Sequence, residues 1–283
     1  MTFALVTPSF APDFTRCRLL VESVERLVAP NTHHYVIVDH RDHAMFAPLA
    51  STRVTVCVVE DLLPGWLHRD PAHPQSWLCK NTQPVTNWVL QQVVKMSIFQ
   101  AIPEDIAIFC DSDNVFIRPF NPENRLMDHR RLALFRTENQ NNHILAWRDA
   151  TSKLLGLSHL DTPAVNYVSN LIGWRRENVS TLHARIEHAT GMNWLEAVCQ
   201  YTAVSEYVLY GTLVEHLVGV KEAGHKFFSG KLIKPSWGKN LQSPQAMHEF
   251  FAEIDKDYVG VMIHSKDNLP VDAYAPLVRT YWT

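Results

Sequence analysis

The sequence predicts an α/β protein: a single domain with a mixed, mostly parallel central sheet flanked by helices. Three observations predict it. Short apolar runs alternate with helix-like segments through the first 120 residues, the signature of a doubly wound layer. The run Ile106 to Cys110 is almost wholly apolar, as in a strand covered on both faces. Polar residues stand at the carboxyl ends of the candidate strands, where open α/β sheets hold their ligands.

Phe3 to Val6 is the first predicted strand, ending in Thr7-Pro8-Ser9. Asp13 then reads as the N-cap of a helix whose apolar residues Leu19, Leu20, Val24, Leu27 and Val28 recur near the helical period. His34 to Val38 is a second strand, ending at Asp39, and Val54 to Val59 a third, rich in β-branched residues. The proline-studded stretch Pro64 to Pro84 reads as a long loop. A helix follows from about Val85 to Gln100, and the Ile106 to Cys110 strand comes next. The second half is less regular. Leu132 to Phe135 reads as a strand, Glu177 to Ala189 as a helix, and Ser205 to Leu217 as a helix capped by Ser205. Val259 to Ile263 is a late strand ending at His264, beyond which the pattern trails off.

Composition bounds the function. The chain has 283 residues, with 26 basic and 29 acidic side chains for a net charge of -3. Hydrophobic content of 46% against 19% charged excludes a disordered or fibrous chain. The near-neutral balance speaks against a nucleic-acid partner. The start, MTFALVTPSF, lacks the positive region of a signal peptide, and no run is long enough for a transmembrane segment. Five cysteines without a C-x-x-C pair suggest a reducing compartment and no paired-cysteine zinc. The expectation is a cytoplasmic protein, with peripheral contact at the inner face of the membrane compatible with it. Only 10 glycines occur, and no G-x-G-x-x-G, Walker or G-x-S-x-G motif.

Four constellations carry chemistry. Asp111-Ser112-Asp113 follows the buried strand directly, and residues two apart on extended chain point the same way, so both carboxylates can approach one hard cation. The same residues also make a good turn. His264, at the end of the late strand, suits a further metal ligand or a hydrogen-bonded strand terminus, with Lys266 two residues on to meet a diphosphate. Glu206, within Ser205 to Gly211, suits a general base or a first-turn acid complementing the helix dipole. Lys95 shares a helix face with Gln91 and suits a phosphate contact or a solvated position. The histidines of Asp39-His40-Arg41-Asp42-His43 read as surface, with Asp39 singled out because it ends a strand.

Together these residues resemble a glycosyltransferase of the GT-A fold. Thr7-Pro8-Ser9, Asp39 and Asp111-Ser112-Asp113 stand in the order of that family's first-strand loop, base- or ribose-contacting Asp, and D-x-D metal motif. The continuation Asn114 to Phe120 is similar to the stretch after D-x-D, and His264 matches a late histidine that some members supply as a metal ligand. The segment Ser205 to Gly211 resembles a bacterial group of unknown function, DUF6492. The resemblance implies one Rossmann-like GT-A domain, with residues 1–120 as the nucleotide- and metal-binding half and 121–283 as the acceptor half. It implies Mn²⁺ or Mg²⁺ held by Asp111, Asp113 and His264, and a UDP- or GDP-linked sugar contacted by Thr7, Pro8, Ser9, Asp39, Lys95, Asp111, Ser112 and Lys266. Glu206 would act on the hydroxyl of a glycan or other acceptor, in a setting such as bacterial surface polysaccharide synthesis.

Two rivals compete. Asp111-Ser112-Asp113-Asn114-Val115 also fits the first motif of haloacid-dehalogenase phosphatases, with Asp111 as nucleophile, but that motif normally opens its sheet whereas here about 100 residues of βα-like pattern precede it. A non-catalytic carbohydrate- or nucleotide-binding module is the other, since eight tryptophans suit sugar stacking and core packing equally.

Overall fold

The computed structural model describes residues 1–138, 142–158 and 165–282. The chain begins β1 (Phe3–Pro8), α1 (Phe14–Leu27), β2 (Thr32–Val38), α2 (His43–Phe46), β3 (Val54–Val58) and α3 (Val59–Leu62). Next come β4 (Leu67–Arg69), β5 (Ser76–Cys79), β6 (Val85–Thr86), α4 (Asn87–Ser97), β7 (Ile106–Phe109) and β8 (Asn114–Phe116). The middle holds α5 (Pro122–Leu126), β9 (Met127–Asp128), β10 (Arg131–Phe135), β11 (Thr137–Glu138), α6 (Asn142–Leu154), β12 (Val165–Asn166) and β13 (Ile172–Arg175). The remainder is α7 (Arg176–Thr190), α8 (Trp194–Cys199), α9 (Glu206–Thr212), β14 (His225–Phe228), β15 (Ile233–Pro235), α10 (Pro244–Ala252), β16 (Gly260–Met262) and α11 (Val271–Arg279).

The α/β architecture with a mostly parallel sheet flanked by helices is the one observed. The chain forms two compact units. One gathers Thr2–Val58, Ile108–Leu126 and Gly230–Thr283; the other gathers Met1, Val59–Ala107 and Met127–Ser229. These are not the contiguous halves 1–120 and 121–283, because the C-terminal segment pairs with β8 and packs on α1.

In the first of these units the strands run β7-β1-β2-β3, with β1 parallel to β2 and β2 parallel to β3. The sequence dictates this directly: every residue of β1 is buried, so no polar face is left to water. Cys17 and Val21 of α1 pack against Val36 and Val38 of β2, Val54 of β3 and Phe46. Leu19, on another side of α1, joins a second core with Val115, Val261, Phe250 and Val278. Each such side chain contributes roughly 1.5–3 kcal/mol on leaving water. That second core rests on a three-stranded sheet, β15-β16-β8, in which β8 runs antiparallel to β16. Gly260 of β16 is required there, since a Cβ would lie 2.7 Å from the Val115 carbonyl oxygen.

The other unit differs from the sequence reading in two places. The predicted 64–84 loop contains β4 and β5, which with β6 form an antiparallel sheet around the fully buried Trp77. The predicted 85–100 helix starts later, at Asn87, because Thr86 accepts the Val89 amide as N-cap. Ser205 caps α9 as expected, accepting from Val208, but after Thr212 the helix widens into a π-helix over Leu213–Val218. In the first unit, the tail after His264 does not trail off: it folds into α11, whose Tyr274, Ala275 and Val278 are buried.

Candidate functional site

The site follows from where the apolar strands stop. All of β7 is buried, and the Cys110 amide still pairs with the Val6 carbonyl at 3.0 Å. At Asp111 the chain leaves the sheet, because a carboxylate cannot be buried there without compensation. It turns at once, with the Asn114 amide and side chain both donating to the Asp111 carbonyl, at 3.1 and 2.9 Å. The turn feeds β8, whose register places Asn114 opposite Met262. One step further the Ile263 amide donates to the Asp113 carbonyl at 3.0 Å, so Asp113 and the His264 backbone meet at the same end of the strand pair.

Three carboxylates converge on this corner, one more than the motif supplies. Asp13 was legible as a helix cap, and it holds the N-cap position of α1, but its side chain makes no capping bond. Instead it is buried and accepts from Ser112 Oγ at 3.4 Å. Arg16 pairs with Asp13 at 3.3 Å and also donates to the Leu269 carbonyl at 3.0 Å. Burial raises the Asp13 pKa, partly offset by Arg16 and Ser112. Asp113 is pushed up to about 7, chiefly by burial and then by the charge of Asp111, while the Ser265 amide pulls the other way. Tyr274 of α11 stands in the same field, its phenol hydrogen-bonded with Arg16 and raised to about 12 by burial first.

The predicted metal set needs correction. The Ser265 amide donates to Asp113 Oδ2 at 3.3 Å, and His264 Nδ1 lies 3.9 Å from Asp267, beyond hydrogen-bond distance. Among the described residues no group of three or more His, Cys, Asp or Glu side chains is arranged to hold a metal ion. Asp111, Asp113 and His264 therefore share a corner without forming a ready ligand triad. Lys266 is exposed on the 3-10 turn that follows.

The first-strand loop also shifts. Thr7 and Pro8 belong to β1 and are buried, with Thr7 Oγ1 bonded to His34 Nε2 at 2.9 Å, so neither faces a ligand. Only Ser9 reaches the edge, followed by the half-exposed ring of Phe10. Asp39 caps a short 3-10 turn by accepting the Arg41 amide at 3.1 Å. Asp42 accepts the Ala11 amide at 2.9 Å and so pins the loop after β1 to the loop after β2.

Lys95 and Glu206 lie in the other unit, and the structure brings them together. Lys95 Nζ is 3.2 Å from Glu206 Oε1 and donates to Tyr207 Oη at 2.8 Å, with both charged side chains almost wholly inaccessible. Their predicted roles are corrected by this burial: neither presents charge to a diphosphate or an acceptor. The reason is local. Nearly every residue of α9 is buried, so a glutamate in its first turn needs a buried cation. The rest of the segment is equally structural. Tyr210 Oη accepts from the Arg175 amide and Asn178, leaving its proton for His225 Nε2 at 2.8 Å. Gly211 is obligatory because a Cβ would sit 2.2 Å from the Tyr167 ring.

Two features of that unit escaped sequence reasoning. Glu215, on the π-helix, receives both the Arg136 guanidinium, at 3.0 and 3.2 Å, and the Tyr167 hydroxyl, at 2.8 Å. A cavity lined by Asp105, Arg130, Arg175 and Arg176 contains none of the predicted residues. Two of its guanidiniums are committed: Arg176 bonds the carbonyls of Phe99, Ile102 and Glu104, and Arg175 that of Gly224. No helix among the described residues is long and apolar enough to cross a membrane.

A family model matches residues 4–279, and the chain belongs to that family, DUF6492, a family of unknown function. No curated protein matches the chain.

Proposed function

We propose that this member of DUF6492 is a metal-dependent glycosyltransferase that moves a sugar from a nucleoside-diphosphate donor to an acceptor hydroxyl. One observation carries the reading: three carboxylates of like charge, Asp13, Asp111 and Asp113, crowd the carboxyl ends of parallel strands with Asp113 raised to about 7. Arg16 stands against Asp13, and like-charged carboxylates placed together suit a divalent cation. The buried Asn114 Oδ1 beside it, which has no hydrogen-bond partner among the described residues, is a further oxygen suited to a hard ion or its water. Asp111, Asp113 and Asn114 thus offer the oxygen donors that a hard cation takes.

In this reading Asp111 and Asp113 would hold Mn²⁺ or Mg²⁺, with Asp13 held near them through Ser112. A cation held there would supply charge neutralisation for a departing diphosphate, commonly a large catalytic contribution. Lys266, exposed on its 3-10 turn, would assist by meeting a phosphate oxygen. Ser9, Phe10 and Asp39 border the strand ends and suit the nucleoside, Phe10 by stacking and Asp39 by accepting from ribose hydroxyls. His264, at 30% side-chain exposure, can rotate away from Asp267 to join the ion. The base for the acceptor hydroxyl is not Glu206, which is sealed against Lys95.

The test is thermal stabilisation by a nucleotide panel with and without Mn²⁺. UDP or GDP with metal should stabilise the protein by roughly 2–3 kcal/mol at ~100-fold excess over Kd, and Asp113→Ala should abolish it. Stabilisation that survives in Asp113→Ala, or that ignores metal, overturns the assignment. Phosphate release from a generic ester, lost in Asp111→Asn, would support the phosphatase instead.

A further inference from the structure

We propose that Cys79 and Cys199 form a dithiol site that a peroxide converts into an intramolecular disulfide. Both belong to the unit that holds Lys95, and nothing in the transferase reading uses them. Cys79 is the last residue of β5 and Cys199 the last of α8, and their thiols are hydrogen-bonded to each other.

The surrounding chain fixes that meeting independently. Cys79 opens a turn closed by the Thr82 amide on its carbonyl at 3.3 Å, with Asn81 in the left-handed region at φ 58°. Asn81 Nδ2 donates to Glu196 Oε1 at 3.2 Å, and Gln200 Nε2 donates to the Asn81 carbonyl at 3.3 Å. Thus residues on both sides of Cys199, one helical turn before and one residue after, clamp the turn that carries Cys79. The strand end also cannot drift, since Cys79 pairs with Leu67 across the antiparallel ladder. Both cysteines are reduced and buried, yet Lys80 and Asn81 are exposed, so the pair lies just beneath the surface.

The pair is chemically asymmetric. The hydrogen bond from Cys199 holds the Cys79 thiol below the usual range, and the same bond with burial holds Cys199 above it. Cys79, which adjoins the exposed Lys80 and Asn81, is the attacking thiol, and Cys199, at the end of α8, the resolving one. Cys79 sulfur attacks one oxygen of hydrogen peroxide, the O–O bond breaks, and Cys79 sulfenic acid and hydroxide form. Cys199 sulfur then attacks Cys79 sulfur, the S–O bond breaks, and the Cys199 proton leaves with the departing hydroxide as water. Two thiols lose two hydrogens and two electrons in all, and the peroxide becomes two waters. The bridge clips the β4–β6 sheet to α8.

The full chain, exposed to hydrogen peroxide, alkylated and digested, tests this by mass spectrometry. The expected result is one dominant linked peptide pair joining Cys79 to Cys199, with an intact-mass loss of two hydrogens reversed by dithiothreitol. Cys199→Ser should stop at a dimedone-reactive sulfenic acid on Cys79, and Cys79→Ser should leave Cys199 alkylatable. The same treatment in denaturant should lose the selectivity, which separates the folded geometry from mere thiol content. Preferential oxidation of Cys57, or Cys79 passing to sulfinic acid with Cys199 still free, overturns the proposal. Because nucleotide stabilisation is not the readout, this test can fail or succeed independently of the transferase assignment.

Discussion

The Ser265 amide donates to Asp113 Oδ2 at 3.3 Å, tying the D-x-D turn to the segment that follows β16. This bond favours the charged carboxylate, but burial and Asp111 outweigh it, and the pKa stands near 7. A carboxyl raised in the fold binds its proton more tightly there than in the unfolded chain. Its cost to stability is absent at acid pH and appears as pH rises from about 4 through about 7. Asp113→Asn keeps an acceptor for Ser265 and removes the charge. Without metal it should match the wild type at pH 4 and exceed it at pH 8 by on the order of 2 kcal/mol in urea unfolding. A variant weaker than wild type at pH 8 would contradict this.

Lys95 and Glu206 form the buried pair of the other unit. Lys95→Met should destabilise by about 3–5 kcal/mol, since it strands a buried carboxylate, and the double variant with Glu206→Gln should recover most of that loss. A double-mutant cycle by chemical denaturation measures the coupling. Additive losses would mean that the two side chains do not depend on one another.

Gly211 tests packing without charge. Gly211→Ala places a Cβ 2.2 Å from the Tyr167 ring and should cost roughly 1–3 kcal/mol. Replacing the ring in the same chain, by Tyr167→Leu, should make the added methyl much less costly. The pair of thermal midpoints decides between a local clash and a general intolerance.

Three histidines set the acid limit. Burial holds His34 and His225 down to about 3 and His183 down to about 4. Each is neutral in the fold and takes up a proton on unfolding, so their stability is complete above about pH 6.5 and is lost as pH falls toward those values. Asp13 and Asp113 act in the opposite sense and reduce the net uptake. His183→Phe, which keeps a ring against Trp194, should flatten the slope of stability against pH by about one proton between pH 6 and 4.5. An unchanged slope would show that His183 is not buried neutral.

The parts of this molecule legible from sequence are those set by neighbouring residues. The apolar run of β7 announced both a buried strand and the carboxylates that end it, and Ser205 announced a helix start. Asp13 was misleading because a carboxylate before a helix looks like a cap, and only the distant Ser112 reveals that its side chain serves another purpose. Lys95 and Glu206 gave no local sign of each other, since neither helix records what the other buries. β4 and β5 were hidden by prolines and polar residues, their buried side chains Leu67, Trp77 and Cys79 being too few and too scattered to show a strand period. Tyr274 was missed because α11 carries an internal proline, Pro276, within a short amphipathic segment.

The carboxylate corner has a consequence for how the chain is made. Asp13, Asp111 and Asp113 leave the ribosome well before Ser265, Leu269 and Tyr274, which hold Asp113 and Arg16. During translation the parallel strands can pair as they emerge, but the like-charged corner stays unclamped until the segment after β16 has followed. A protein stalled or cut short before β16 would thus display its acidic loop without the backbone that orders it. Quality control would meet that species as a folded sheet with one unfinished edge.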